Sequence, residues 1–165
     1  TLQDAGLKSS SLNAVGLFDV IEHIKDDFSF LKDINKYLKN NGKIFITVPA
    51  FNFLWSAHDE YSGHHKRYNL NELEKLLTQC GFKTLYKTYF FSLLPLPIFL
   101  FRSIPFYFGF RNKKNKLKIH KKEHNNNLSK KKILRNIWNW EFQKVKRAEK
   151  IYFGGSCLLV AKKND

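Results

Sequence analysis

The sequence is poor in cysteine and opens without a pattern typical of a secretory leader. Only two cysteines, Cys80 and Cys157, occur among 165 residues, so at most one disulfide could form. Both lie where the sequence pattern predicts buried core, and we therefore expect two reduced thiols, as in a cytoplasmic protein. No charged segment followed by an apolar run opens the chain. No internal repeat is present.

Positive charge is concentrated in one segment. The net charge is +15, and residues 111–135 carry ten of these charges, with eleven Lys and Arg against one Glu. Lys and Asn dominate residues 113–132, for which a solvated loop is the simplest interpretation. Lys and Arg can neutralise phosphates, but base stacking needs interleaved aromatic residues, and residues 113–132 contain none. We therefore expect no nucleic-acid partner.

Apolar runs alternate with helical periodicity, which predicts an α/β fold. Strands are predicted at 14–18, 44–48, 82–91 and 157–161, and helices are predicted to start at Asp26, Asn71 and Ile133. We expect the run 44–48 to be covered on both faces. Gly42 should end the first helix in a left-handed conformation, and Glu74 should complete a capping box with Asn71. The last helix should reach Ile151.

The chain divides into three predicted parts. Residues 1–91 and 133–165 form the core, the second range supplying a closing helix and the last strand. Residues 92–132 form an insertion, an apolar arm followed by a basic linker.

Two acids follow the first predicted strand. Asp19 comes directly after the apolar run 14–18, and Glu22 follows in the same turn. In open α/β sheets ligands bind at the carboxyl ends of parallel strands, so these residues predict a ligand site. An ordinary loop with solvated acids is the alternative.

The residues around these acids resemble a known family. The segment 15–24 (VGLFDVIEHI), the helix 31–38, Asn41-Gly42 and the segment 44–49 (IFITVP) are similar to class I S-adenosylmethionine-dependent methyltransferases. There they would be the fourth strand, fourth helix and fifth strand of a Rossmann-like sheet whose last strand is antiparallel. The family domain opens with a strand and a G-x-G-x-G turn, which this chain lacks. Because the chain also begins with Thr1, we expect the C-terminal part of a longer methyltransferase, without its N-terminal strands.

The resemblance implies S-adenosylmethionine as cofactor and assigns positions to it. These predicted cofactor-binding residues are Asp4, Ala5, Phe18, Asp19, Glu22 and His23. The family has an acid followed by a small residue near the adenine, which Asp4 and Ala5 match. Asn13 stands where the family usually has Asp. Each assignment has an alternative. Asp4 could lie in an ordinary polar loop, His23 could make a structural hydrogen bond, and Glu22 could cap the loop.

The richest candidate loop, residues 55–68, follows the strand 44–48. It is similar to an H-D-x-x-x-G-H-x-R-Y run in a sub-group of bacterial methyltransferases, with one extra residue. We hypothesise that His58 or His64 is the general base, that Asp59 orients it, and that Arg67 holds an anionic acceptor. Trp55, Tyr61 and Tyr68 are predicted to bind the acceptor. Alternatively, His58, Asp59 and Arg67 only fix the loop by hydrogen bonds.

A metal site in this loop is not predicted. Its three histidines, His58, His64 and His65, lack the spacing of standard zinc motifs, and no cysteine joins them.

Residues 89–110 form an apolar arm in which Arg102 is the only charge. Its length approaches a membrane span of about 20 residues, but Pro95, Pro97, Pro105 and the central arginine argue against one. An interfacial or re-entrant arm fits better, with the Lys-rich segment meeting anionic head groups. Core packing or a dimer face are the alternatives.

These observations predict methyl transfer from S-adenosylmethionine to a small-molecule or lipid-linked acceptor. The protein would be cytoplasmic, or peripheral at the inner face of the membrane. A second hypothesis is a non-catalytic membrane-surface module that uses residues 89–135. A third is an inert fragment, because the Gly-rich turn is missing.

Overall fold

The computed structural model describes residues 6–109 and 128–164. Its strands are β1 (Leu12–Phe18), β2 (Leu38–Pro49), β3 (Phe82–Phe90) and β4 (Ser156–Lys163). Its helices are α1 (Asp27–Tyr37), α2 (Ala57–Ser62), α3 (Leu70–Gln79), α4 (Pro95–Ile98), α5 (Ile104–Tyr107) and α6 (Leu128–Lys146). Single 3₁₀ turns lie at Ile21–His23 and Asn52–Leu54, and a π-helical turn joins α4 to α5 at Phe99–Ser103.

The four strands form one sheet in the order β1-β2-β4-β3. β1 and β2 are parallel, and Phe18 pairs with Thr47 near the carboxyl end of the pair. β4 is antiparallel to both of its neighbours and lies between β2 and β3. This confirms the predicted α/β class and the antiparallel last strand. In the part of the chain that the structure describes, β1 pairs on one side only, so it forms an edge of the sheet.

The core lies on one face of this sheet. Alternate residues of β2, Ile44, Ile46 and Val48, are fully buried in one cluster with Leu31 of α1 and Leu73 of α3. Alternate residues of a strand point to the same face, so both helices share this core. The intervening β2 residues are only partly buried. The expectation that this strand is covered on both faces is therefore not met within the described residues.

Three element boundaries differ from the sequence prediction. Asn69, and not Asn71, caps α3: its side chain accepts from the backbone N–H of Asn71 and Glu72, and Glu72 completes the capping box. Gly42 is not a left-handed cap, because α1 runs directly into β2 and the positive φ of 61° belongs to Asn41. The third is α6, which runs from Leu128 to Lys146, whereas the sequence predicted a helix from Ile133 to Ile151.

The apolar arm folds as the short helical pieces α4, the π-helical turn and α5. Phe99 packs edge-on against Phe53, with ring centroids 5.9 Å apart, and the Tyr107 hydroxyl donates to the Asn52 carbonyl. The arm therefore lies against the turn that follows β2. Among the described helices, none is long and apolar enough to cross a membrane. Residues 110–127, which include most of the basic linker, lie outside the described residues, and residues 128–132 belong to α6.

Candidate functional site

Two segments meet at the carboxyl ends of β1 and β2. The first is the turn 19–24 after β1, and the second is the loop 55–68, which begins six residues after β2. The backbone N–H of His65 donates to the Glu22 carbonyl at 2.7 Å. The Lys66 ammonium lies 2.6 Å from the Asp27 carboxylate at the start of α1. The sheet therefore brings together the two segments that the sequence singled out.

Asp59 is the centre of the loop. Its side chain is fully buried and accepts from Arg67 through Nε at 2.7 Å and Nη2 at 3.1 Å. The backbone and hydroxyl of Ser56 donate to the same carboxylate, at 2.9 and 3.1 Å. His64 Nδ1 lies 3.0 Å from Asp59 Oδ1. Burial alone would raise the pKa of Asp59, but the bonds and charge of Arg67, with those of His64 and Ser56, hold it below its usual value.

The local sequence explains why these side chains converge. Ser56 and Asp59 form a capping box at the start of α2, and Gly63 ends that helix in a left-handed conformation, with φ of 74°. The chain then reverses, and the backbone N–H of His64 donates to the Asp59 carbonyl. One short helix, which the sequence did not predict, thus places His64 and Arg67 on either side of Asp59.

Arg67 is committed to this network. It is 6% exposed, and its third nitrogen, Nη1, donates to the Ala50 carbonyl at 3.1 Å. These contacts support the interpretation in which Asp59 and Arg67 fix the loop. The predicted role of Arg67 in holding an anionic acceptor stays a prediction that these contacts do not support.

The three residues predicted to bind an acceptor lie in different environments. The Tyr68 hydroxyl is buried and donates to Asp27 at 2.8 Å. Burial and this hydrogen bond raise the pKa of Tyr68. Tyr61 is exposed and Trp55 is half-buried. Of the three, Tyr68 is thus placed to anchor the loop to α1, while Tyr61 and Trp55 keep surface that an acceptor could reach.

The two candidate bases differ in their partners. His58 lies on the first turn of α2, where partial burial of its ring, followed by the charge of Arg102, lowers its pKa. A lowered pKa keeps an imidazole neutral at pH 7, as a general base requires. His64 is the histidine that contacts Asp59. The orienting contact that the sequence suggested therefore belongs to His64.

The turn after β1 contains a buried acid. Glu22 is fully buried, and within the described residues neither of its carboxylate oxygens has a hydrogen-bond partner. Burial raises the pKa of Glu22 to about 7, and Asp19 adds to this effect. Its carboxylate, His23 and His64 place one ligand atom each within 4.8 Å of one another. The His23 and His64 rings meet edge-on, with centroids 4.7 Å apart.

Sequence reasoning missed this Glu22–His23–His64 cluster. It assigned Glu22 and His23 to the cofactor and His64 to catalysis as a candidate general base. No spacing rule links them, because strand pairing and the reversal after α2 bring them together.

Phe18 and Asp19 present the surface expected of a cofactor wall. Phe18 is 64% exposed at the end of β1. Asp19 is exposed with φ of 52°, and its Oδ1 accepts from the Thr47 hydroxyl at 3.2 Å. Asp tolerates this left-handed conformation better than most residues. The assignment of Phe18 and Asp19 to the cofactor stays a prediction. Asp4 and Ala5 lie outside the described residues.

Comparison with known families decides what this fold is. A family model described as a methyltransferase domain matches residues 3–87, just over half of the chain. The chain belongs to the methyltransferase domain family. No sequence among curated proteins matches it. The predicted resemblance to class I S-adenosylmethionine-dependent methyltransferases is confirmed, and S-adenosylmethionine is the cofactor of that family.

Solved structures share the fold of this methyltransferase domain. Phosphoethanolamine N-methyltransferase 2 of Haemonchus contortus, in complex with S-adenosylmethionine, is 20% identical, with a TM-score of 0.50 over 96% of this chain and 35% of its own. A SAM-dependent methyltransferase from Archaeoglobus fulgidus is 20% identical, with a TM-score of 0.51 over 96% of this chain and 62% of its own. The [4+2]-cyclase SpnF is 16% identical, with a TM-score of 0.50 over 94% of this chain and 52% of its own.

At these identities the solved structures show the fold alone, and the presence of a cyclase illustrates that one fold can serve several reactions. The chain spans between about a third and three fifths of the length of these three structures.

Proposed function

We propose that this chain forms the acceptor-facing part of a methyltransferase that transfers a methyl group from S-adenosylmethionine to a small molecule. One observation carries the proposal: the turn 19–24 and the loop 55–68 meet at the carboxyl ends of the parallel strands β1 and β2. In open α/β sheets this edge is where ligands bind. A small-molecule acceptor is supported by the phosphoethanolamine methyltransferase among the similar structures.

Phe18 and Asp19 would form one wall of the cofactor site. S-adenosylmethionine supplies, when bound, an electrophilic methyl group on a sulfonium sulfur. The exposed Phe18 ring offers an apolar surface, and Thr47 orients the Asp19 carboxylate for hydrogen bonding. Transfer of a methyl group is an in-line displacement, so holding the two partners in line is a main task of such residues.

A histidine of the loop 55–68 would remove the acceptor's proton. His64 has its Nδ1 beside Asp59, an arrangement that favours the tautomer with its proton on Nδ1 and a free electron pair on Nε2. His58 is exposed and has a lowered pKa. The rate of methyl transfer is measured for His58→Asn, for His64→Asn and for the control His65→Asn. The histidine whose loss lowers the rate well below that of the control is the base. Full turnover in a chain that lacks both histidines would exclude this role.

Cofactor binding is tested by a thermal-shift titration with S-adenosylhomocysteine. A ligand that binds only the folded state raises Tm with concentration, so we expect a saturable rise. Asp19→Asn should weaken binding by about tenfold, a change of about 1.4 kcal/mol. Asp33→Asn, which changes an exposed carboxylate of α1, is the matched control. A cooperative melt without a shift would mean that this chain lacks a sufficient cofactor site.

A second candidate function is docking of the apolar arm on an anionic membrane. It is favoured by three apolar side chains of the arm that remain largely exposed: Leu96 at 67%, Phe101 at 77% and Phe108 at 75%. Co-sedimentation with phosphatidylglycerol vesicles should fall on Phe101→Ser, whereas Tyr152→Ser, another exposed aromatic outside the arm, should leave it unchanged. Equal co-sedimentation of the two variants would contradict this function.

A further inference from the structure

Three side chains with metal-binding atoms converge where the two site segments meet. We propose that Glu22, His23 and His64 bind one divalent transition-metal ion at this edge of the sheet. One ligand atom of each lies within 4.8 Å of the others. With bonds of about 2.1 Å, donor atoms around one ion lie at most about 4.2 Å apart. Small rotations of the two imidazoles would therefore close the set around an ion.

Glu22 supplies the first argument. It is fully buried, and neither carboxylate oxygen has a hydrogen-bond partner in the described part of the chain. A buried carboxyl group whose oxygens lack partners is unfavourable, and it is stabilised by any ligand that those oxygens can bind. Its backbone is held in place, because its carbonyl accepts from the N–H of His65. A metal bond would satisfy the carboxylate without moving the turn.

His64 supplies the second argument. Histidines that bind a metal through one ring nitrogen usually donate the other N–H to a carboxylate or carbonyl, which fixes the tautomer and the ring. His64 has this arrangement, with Nδ1 3.0 Å from Asp59. Asp59 is in turn held by Arg67 and Ser56. Nε2 is therefore left as a fixed ligand atom.

His23 completes the set from the solvent side. It follows Glu22 directly, is exposed, and packs edge-on against the His64 ring. An ion bound here would have two imidazoles and one carboxylate as ligands, with its remaining positions open toward solvent.

This ligand set selects the class of metal. Two histidines and one carboxylate occur in catalytic zinc sites and in non-haem iron sites, whereas calcium and magnesium prefer oxygen ligands. The open positions would take an oxygen of the acceptor, a role that rests on the proposed function. With His64 bound to metal, His58 would be left to remove the proton.

The test uses Co²⁺ and Zn²⁺ added to the EDTA-treated chain. We expect one Zn²⁺ per chain by calorimetry, and visible absorption with Co²⁺ whose intensity reports an imidazole-containing site. Glu22→Gln and His23→Asn should each weaken binding by at least about tenfold, because even residues that only orient a metal ligand contribute 10–100-fold. Glu22→Gln keeps the shape of the side chain and removes its ionisable group, so its folding should be intact.

His65→Asn and His58→Asn are the matched controls, since both histidines are exposed in the same loop and lie outside the cluster. Thermal melts verify that every variant is folded. Absence of binding, or binding that Glu22→Gln and His23→Asn leave unchanged, would overturn the proposal. An equal loss in His65→Asn would also overturn it and indicate a surface histidine site. S-adenosylhomocysteine binding is measured separately, so failure of the metal site and failure of the methyltransferase function are distinguishable.

Discussion

Removing one partner of the contact between Asp59 and Arg67 should cost more stability than removing one partner of an exposed ion pair elsewhere in the described part of the chain. Both side chains are buried, and the guanidinium spans both carboxylate oxygens. Asp59→Ala would leave a buried arginine whose guanidinium keeps one hydrogen bond, to the backbone carbonyl of Ala50. Removing one partner of a buried pair costs about 3–5 kcal/mol. We therefore expect Asp59→Ala to lower the free energy of unfolding by this amount.

A double-mutant cycle isolates the contact. Arg67→Met removes the charge and keeps much of the side-chain volume. The double variant should lose about 1–3 kcal/mol less unfolding free energy than the sum of the two single variants. Urea denaturation followed by tryptophan fluorescence measures all four species. A domain has about 5–15 kcal/mol of stability in total, so a single variant could be largely unfolded. Arg67→Lys keeps the charge but loses the two-pronged geometry, and should cost about 1.5–3 kcal/mol.

The outcome also decides between the two interpretations of Arg67. If it holds an anionic acceptor and does not fix the loop, Arg67→Lys would leave the unfolding free energy within about 0.5 kcal/mol, as at an ordinary surface site. It would instead raise KM for the acceptor. Additive losses in the cycle, together with a raised KM, would refute the structural role argued from the buried network.

Three further predictions follow from the described contacts. Cys80 and Cys157 are buried thiols whose pKa is raised by burial, that of Cys157 to about 12, so a thiol reagent should label both on unfolding and neither in the native chain. Asn69→Ala should cost about 1 kcal/mol of stability, whereas Asn71→Ala should cost much less, as denaturation of the two variants would show. The hydrogen bond from Lys87 lowers the pKa of Glu74 from 4.5, so Glu74→Gln should lower the free energy of unfolding by less than about 1 kcal/mol at pH 7. The difference in stability between the two proteins should shrink as the pH falls below about 4.5 and disappear below the pKa of Glu74 in the folded chain.

Most of the sheet was predictable, because β1, the second half of β2 and β4 are apolar runs and β3 is rich in aromatic residues and threonine. The start of α3 was not, because two overlapping patterns satisfy the same rule: Asn69 with Glu72, and Asn71 with Glu74. Both place an acid three residues after an asparagine. With Asn69 as the cap, Leu70 becomes the first helical residue and is buried in the core. Whether a residue is buried depends on tertiary packing, which the local sequence pattern does not contain.

The meeting of the two candidate segments was predictable from the sequence, but the hydrogen bonds between their side chains were not. The sequence placed the turn 19–24 and the loop 55–68 at one edge, and the structure agrees. The sequence left open whether Asp59 serves catalysis or the fold. The order of residues in the loop is the same whether this carboxylate is exposed or buried, and burial is what distinguishes the two roles. The contact between His23 and His64 joins distant parts of the chain, so no local rule could find it.

The position of β4 has a consequence for the order of events during synthesis. β3 hydrogen-bonds to β4, and β4 separates it from β2, although β4 is the last of the described strands along the chain. While the ribosome is still making residues 91–155, no other described strand pairs with β3, and the side of β2 that pairs with β4 is without that partner. Both would be open to strand addition by other chains during that interval. The sheet can close only after residue 163 has emerged, so this domain must complete its folding after translation of its last strand.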